Sequence, residues 1–257
     1  MTTLSHRPPG LLTVAGTELL RLRRGFPFWY TVIIAVIMLG SMLLLTFAMG
    51  DAAGGLWRAV RNPTVEFWYV YLPMHAALLA ALSVNQDQAA LRFLLSYPIS
   101  RAHLFIGKFA ALLALTLTAQ TVLFVMLVLA NAAWGDEPVA SIALYAYLPW
   151  VVSLGLLALT QVLATWAGTG VTIAVGGVGL LAGALTADKD IWMWVPFGWP
   201  LRSILPLVEM YGSGIALPPG PHPLKDTGVI PVAICLSFAL LAVSLAMGSF
   251  LMRRKQL

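Results

Sequence analysis

The sequence predicts an all-α membrane protein: six transmembrane helices, an amphipathic elbow helix before the first, and a helical cytoplasmic element between the second and third. Three observations predict it. The 257 residues are 60% hydrophobic and only 10% charged, with a mean hydropathy of +0.88, whereas soluble domains carry about 25% charged residues. Six apolar runs approach the roughly 20 residues needed to cross a bilayer. The basic residues are sorted between alternate connections.

The amphipathic helix comes first. Leu12, Ala15, Leu19 and Leu22 recur at helical spacing, with Thr17, Arg21 and Arg24 opposite. Such a helix lies in the inner membrane interface. Gly25 and Pro27 then turn the chain into the bilayer. The expected spans are 29–49, 67–84, 104–130, 142–166, 171–185 and 229–251. The fourth and fifth form a tight hairpin about Gly168-Thr169-Gly170. The first run follows a basic lead and is too long for the apolar part of a cleavable leader, so it is expected to stay as a permanent span. One transmembrane domain, 1–257, is expected, with no soluble domain and no repeat.

Orientation follows from charge. With both termini inside, the inner connections hold Arg7, Arg21, Arg23, Arg24, Arg92, Arg101, Lys108, Arg253, Arg254 and Lys255. The outer ones hold Arg58, Arg61, Lys189, Arg202 and Lys225. This bias predicts that the N- and C-termini both lie on the cytoplasmic side. The net charge of +5 therefore reflects topology, and nucleic acid is not an expected partner. The outer segment 187–228 opens with Trp192, Trp194 and Trp199, expected at the headgroup level. It continues through 201–208, too short to span and suited to a re-entrant or interfacial helix, into a stiff proline-rich loop, 217–223.

Inside the spans, Gln120, Thr160, Gln161 and Thr165 are candidates for lining a pathway or for helix–helix hydrogen bonds. His75 reads as a helix–helix hydrogen-bond partner, and Glu66 as an interfacial residue. Gly179 and Gly183, with Gly176 and Gly177, allow close helix approach within or between subunits. Cys235 reads as a small buried hydrophobe. No cluster has metal-ligand spacing. Gly107-Lys108-Phe109 lacks the glycine and the Ser/Thr of a phosphate loop, so no enzyme activity is expected in this chain. An intramembrane enzyme would need a constellation that is not found.

The segment 87–108, Asp-Gln-Ala-Ala-Leu-Arg-Phe-Leu-Leu-Ser-Tyr-Pro-Ile-Ser-Arg-Ala-His-Leu-Phe-Ile-Gly-Lys, is the most distinctive. Asp87 suits the N-cap of a short helix, Pro98 stops that helix, and Ser100 suits the cap of the next. Leu91, Leu94 and Leu95 give it an apolar side. An ordinary cytoplasmic loop with capped helix ends would look the same. Leu94-Leu95-Ser96-Tyr97-Pro98-Ile99-Ser100-Arg101, followed by Gly107-Lys108, resembles the coupling-helix region of ABC type-2 exporter permeases. The amphipathic lead with Glu18, Arg21 and Arg24 resembles that family's elbow helix.

A narrower likeness, carried by 159–166, the glycine-rich fifth span and 194–200, is to the lantibiotic self-immunity and bacitracin-export permeases. The Leu-Leu-Ser-Tyr-Pro-Ile-Ser-Arg stretch also resembles the permease of the nitrous-oxide-reductase maturation transporter. Many type-2 permeases carry a glutamate just before this motif, where this chain has Gln86-Asp87-Gln88.

The resemblance implies that Asp87, Gln88, Leu91, Arg92, Leu94, Leu95, Pro98, Ser100 and Arg101 dock on a separate ABC ATPase. It further implies two such ATPases, which bind ATP and Mg, and a second copy of the chain or a sister permease. No cofactor is then held by this chain itself. An antimicrobial peptide or other amphipathic substrate is implied, as is a place in a bacterial inner membrane. A membrane receptor or scaffold without transport is the rival reading.

Overall fold

Apolar length sets the architecture, and the computed structural model describes residues 10–49, 55–88 and 100–254. An amphipathic helix α1 (Leu11–Arg23) precedes α2 (Phe26–Met49), α3 (Leu56–Gln88), α4 (Arg101–Trp134), α5 (Val139–Trp166) and α6 (Thr169–Thr186). Two short 3-10 turns, Asp190–Trp194 and Pro196–Gly198, then lead to α7 (Trp199–Val208). A third, Pro223–Lys225, precedes α8 (Val229–Arg254). No strand occurs among the described residues, and six helices are long and apolar enough to span. These are the six expected runs.

Their ends extend further than expected. Arg58, Arg61, Asn62 and Pro63 dilute the apolar run at the start of α3, yet the helix begins at Leu56. Its 33 residues reach about 50 Å at 1.5 Å per residue, well beyond a hydrocarbon layer of about 30 Å. Helix α4, with 34 residues, overshoots similarly. Both therefore carry polar residues out of the apolar layer. The end holding Arg24, Gln88, Arg101 and Arg254 is termed the basic end below.

Two corrections concern helix starts. The backbone at Asp87 lies within α3, which is helical through Gln88, and not at a helix N-cap position. Ser100 does stand at the N-cap of α4, but its hydroxyl makes no capping bond. The turn between α5 and α6 is tighter than expected. Ala167 and Gly168 both donate to the Leu163 carbonyl, at 2.8 and 3.2 Å. Gly168 adopts φ +90° with an extended ψ of 172°, a conformation open almost only to glycine.

Packing follows the small residues. On α6, a side chain at Gly176 would collide with Ala77 of α3, and one at Gly179 or Gly183 with Phe197. The close approach left open by the sequence is thus made within the chain. Helix α7 is buried on nearly all sides, as suits a re-entrant element enclosed by protein. Trp192 and Trp199 are buried with Val152, Val229 and Ala233, contrary to their expected place among headgroups, and only Trp194 of the three projects outward, 85% exposed. The indole of Trp199 donates to the Trp192 and Met193 carbonyls at 3.1 and 3.2 Å, folding the aromatic turn inward. The loop at Pro218–Pro221 is exposed, as expected. Cys235 is exposed as well, not buried.

Candidate functional site at the basic end

The segment 89–99, with Leu91, Arg92, Leu94, Leu95 and Pro98, lies outside the described residues. What is described is how its two anchors, the end of α3 and the start of α4, are held.

Helix α1 crosses α4 at Gly107. A Cβ there would stand 2.9 Å from Val14 Cγ1 and 3.2 Å from the Ala15 nitrogen, so glycine permits backbone contact. The next residue, Lys108, is buried at 5% exposure, and its ammonium donates to the Ser83 carbonyl of α3 at 3.3 Å. It also interacts electrostatically with Glu18 and Arg21 of α1. Glu18 is 5% exposed and accepts from Arg21 Nη2 at 2.8 Å.

The buried face of α1 is therefore Val14, Glu18 and Leu22, rotated from the Leu12, Ala15, Leu19, Leu22 stripe expected from spacing. Leu12 and Leu20 face outward instead, 88% and 53% exposed. Glu18 overrides the amphipathic pattern because a buried cation awaits it, and buried charges require partners. A cleft of about 600 Å³ opens beside this junction, bordered by Thr17, Leu20, Arg21, Arg24, Gly25 and Gln86. One lysine on α4 thus ties together α1, α3 and α4, the helices that flank segment 89–99.

The mid-span polar residues form a different arrangement. Pro149 sits inside α5. It has no N–H, so the Tyr145 carbonyl one turn earlier loses its helical donor. The Tyr69 hydroxyl donates to that carbonyl and, at 3.1 Å, to that of Ala146. Gln120 donates to Tyr69 at 3.1 Å and to the Ala146 carbonyl, and accepts from the Trp68 indole at 3.1 Å. Gln120 is thereby a fully buried hydrogen-bond hub joining α3, α4 and α5.

The remaining pathway candidates also bond within the bundle. Gln161 donates to the Phe105 carbonyl at 2.9 Å. The Thr160 and Thr165 hydroxyls donate to Leu157 and Gln161 carbonyls at 3.0 and 2.8 Å. His75 does not pair across helices as expected. Neither ring nitrogen has a partner, and the ring is packed among Tyr30, Trp68 and Tyr71, with centroids 5.4 to 6.1 Å away.

At the far end, Arg61 of α3 is buried and paired with Glu137. Its Nε donates to Asn62 Oδ1 at 3.0 Å, and its guanidinium lies 5.4 Å from the Tyr145 ring centroid. Asn131 fixes the Glu137 backbone through bonds of 3.0 and 3.2 Å. Arg202 of α7 is buried, with Nε and Nη1 lacking partners. Burial pushes its guanidinium below the ordinary value, and Asp188, Asp226 and Asp190 oppose that shift. Among the described residues no group of His, Cys, Asp and Glu could hold a metal ion.

Sequence reasoning placed Glu18, Arg21, Arg24, Asp87, Gln88, Ser100 and Arg101 at this end. Lys108, in its Gly107-Lys108 pair, and Gln86 were also placed at this end, but the burial of Lys108 against Ser83 and beside Glu18 was missed. The available signal was Gly107-Lys108: a glycine beside a lysine inside an apolar helix, where a charge must find a partner.

The chain matches the model of a family described as ABC-2 family transporter protein over residues 15–175, more than half its length. The match runs from within α1 to the first turns of α6 and contains the whole of 87–108. No curated protein matches the chain. Six spanning helices and this match together make the chain a member of the ABC-2 transporter family, the membrane permease component of an ABC transporter.

Proposed function

We propose that the chain is the permease subunit of an ATP-driven exporter, and that its cytoplasmic coupling helix, within 87–101, is the surface an ATPase engages. The observation that carries this reading is the anchoring of that segment. It joins the two longest helices, α3 and α4, whose basic ends are braced on α1 through Gly107 and Lys108. A push on the segment is therefore delivered to three helices at once. Packed, hydrogen-bonded elements transmit displacement because they switch between discrete arrangements and do not deform continuously.

The ATPase binds and hydrolyses ATP with Mg; this chain supplies the rocking element. Two ATPases act on two permeases, the second being another copy or a sister chain. Asp87 takes the place of the glutamate that related permeases carry before the motif. Both termini and the coupling segment lie in the cytoplasm of a bacterial inner-membrane protein, a reading supported by the excess of basic residues at that end. The cargo is an amphipathic or peptide antimicrobial, which the resemblance to immunity permeases supports.

The test of engagement is co-purification. Leu91→Asp with Leu95→Asp places two charges on the apolar side of the segment and should abolish recovery of the ATPase with the permease. Undiminished recovery contradicts the reading. Orientation is tested separately. Gly220→Cys in a Cys235→Ala background should react with an impermeant thiol reagent on intact cells, and protection would invert the topology.

A further inference from the structure

A second feature of the basic end is independent of ATPase docking. Between the end of α5 and the end of α8 lies a cleft of about 250 Å³, bordered by Thr165, Trp166, Leu251, Met252 and Arg254. Its walls are mainly apolar side chains, with a guanidinium at the rim. Trp166 is 73% exposed and ends its helix, the position a tryptophan takes at the membrane–water boundary. Arg254 lies 4.2 Å from the Phe250 ring centroid, which holds the guanidinium beside the cleft.

Among the described residues this charge has no carboxylate partner. Arg253 and Arg254 are exposed and make no ion pair among the described residues. Helices α5 and α8, which form this corner, contain no aspartate or glutamate. The contrast is with the cleft beside α1, where Arg21 is paired with Glu18. Two arginines at the end of α8, with no carboxylate in that helix or in α5, leave a local positive field open to an anion. At this depth the abundant anion is a lipid phosphate, and basic pockets between transmembrane helices bind such headgroups.

We propose that this cleft is a binding site for one anionic phospholipid. Its phosphate is held by Arg254 with Arg253, and its glycerol and upper acyl chains lie against Trp166, Leu251 and Met252. Zwitterionic lipids are disfavoured because their ammonium would face two arginines with no carboxylate to receive it.

The test is native mass spectrometry of the full chain in micelles containing phosphatidylglycerol or phosphatidylcholine with identical acyl chains. The wild type should retain phosphatidylglycerol about tenfold more than phosphatidylcholine. Arg253→Ala with Arg254→Ala removes two surface charges worth about a tenfold weakening or more together, and should abolish that preference. Leu251→Trp keeps both charges but fills the cleft, and should also lose the bound lipid. Arg24→Ala, beside α1, should leave retention unchanged. Equal retention of both lipids by the wild type overturns the site. So does unchanged retention in Leu251→Trp, which would reduce the effect to diffuse charge, or loss in Arg24→Ala, which would move binding to α1.

Discussion

The mid-span hub and the basic-end junction both bring polar side chains from several helices together, but they solve different problems. At the hub, Tyr69 and Gln120 are neutral, fully buried, and bonded to carbonyls beside a proline. Their role is to replace a missing donor, and they belong to the fold. At the junction, Glu18 and Lys108 are charged and nearly buried, and they tie together the helices that flank the segment proposed to meet an ATPase. Burying charges costs several kcal/mol per ion before pairing restores it. That cost is not needed to hold α1 in place, since Val14 and Leu22 already pack there. Polarity inside a membrane protein thus identifies function only when it exceeds what the backbone requires.

Substitutions distinguish the two arrangements. The largest stability loss is expected at the far end, where Arg61→Ala leaves Glu137 without its buried partner. Breaking such a pair costs about 3 kcal/mol, measurable as a lower unfolding midpoint in detergent, and ATP hydrolysis per folded complex should be unchanged.

Tyr69→Phe comes next, with a loss of about 1 to 2 kcal/mol from unsatisfied carbonyls. Pro149→Ala returns a backbone N–H to the Tyr145 carbonyl. In that background Tyr69→Phe should therefore cost about 1 kcal/mol less, a coupling that a double-mutant cycle resolves. Additive effects would mean that the hub does not serve the proline break. The smallest stability change is expected for Lys108→Gln, below about 1 kcal/mol, because Glu18 keeps Arg21 as a partner.

The fold was legible wherever apolarity alone decides. All six spans announce themselves, because about 20 apolar residues have no other stable home. Their ends were not legible, since Arg61 enters a helix only by pairing with Glu137, 76 positions along the chain. Trp192 and Trp199 misled for a related reason. A tryptophan prefers the interface on average, but the folded turn gives both rings apolar neighbours on α5 and α8. At the junction, the charges of Glu18, Arg21 and Arg24 and the distinctive run at 87–101 were readable from local pattern. The inward rotation of α1 was not, because it depends on Lys108, which lies 90 residues from Glu18 in sequence and meets it only when α1 crosses α4 at Gly107.

In the proposed mechanism this junction transmits the ATPase stroke and does not merely hold α1. Its most direct measurement is substrate-stimulated ATP hydrolysis by the permease–ATPase complex carrying Lys108→Gln, reconstituted in vesicles. The complex should assemble in normal yield and retain basal hydrolysis, while stimulation by substrate falls by about tenfold or more. Stimulation equal to wild type in an intact complex would show that Lys108 plays no part in transmission and is a structural residue like those of the hub.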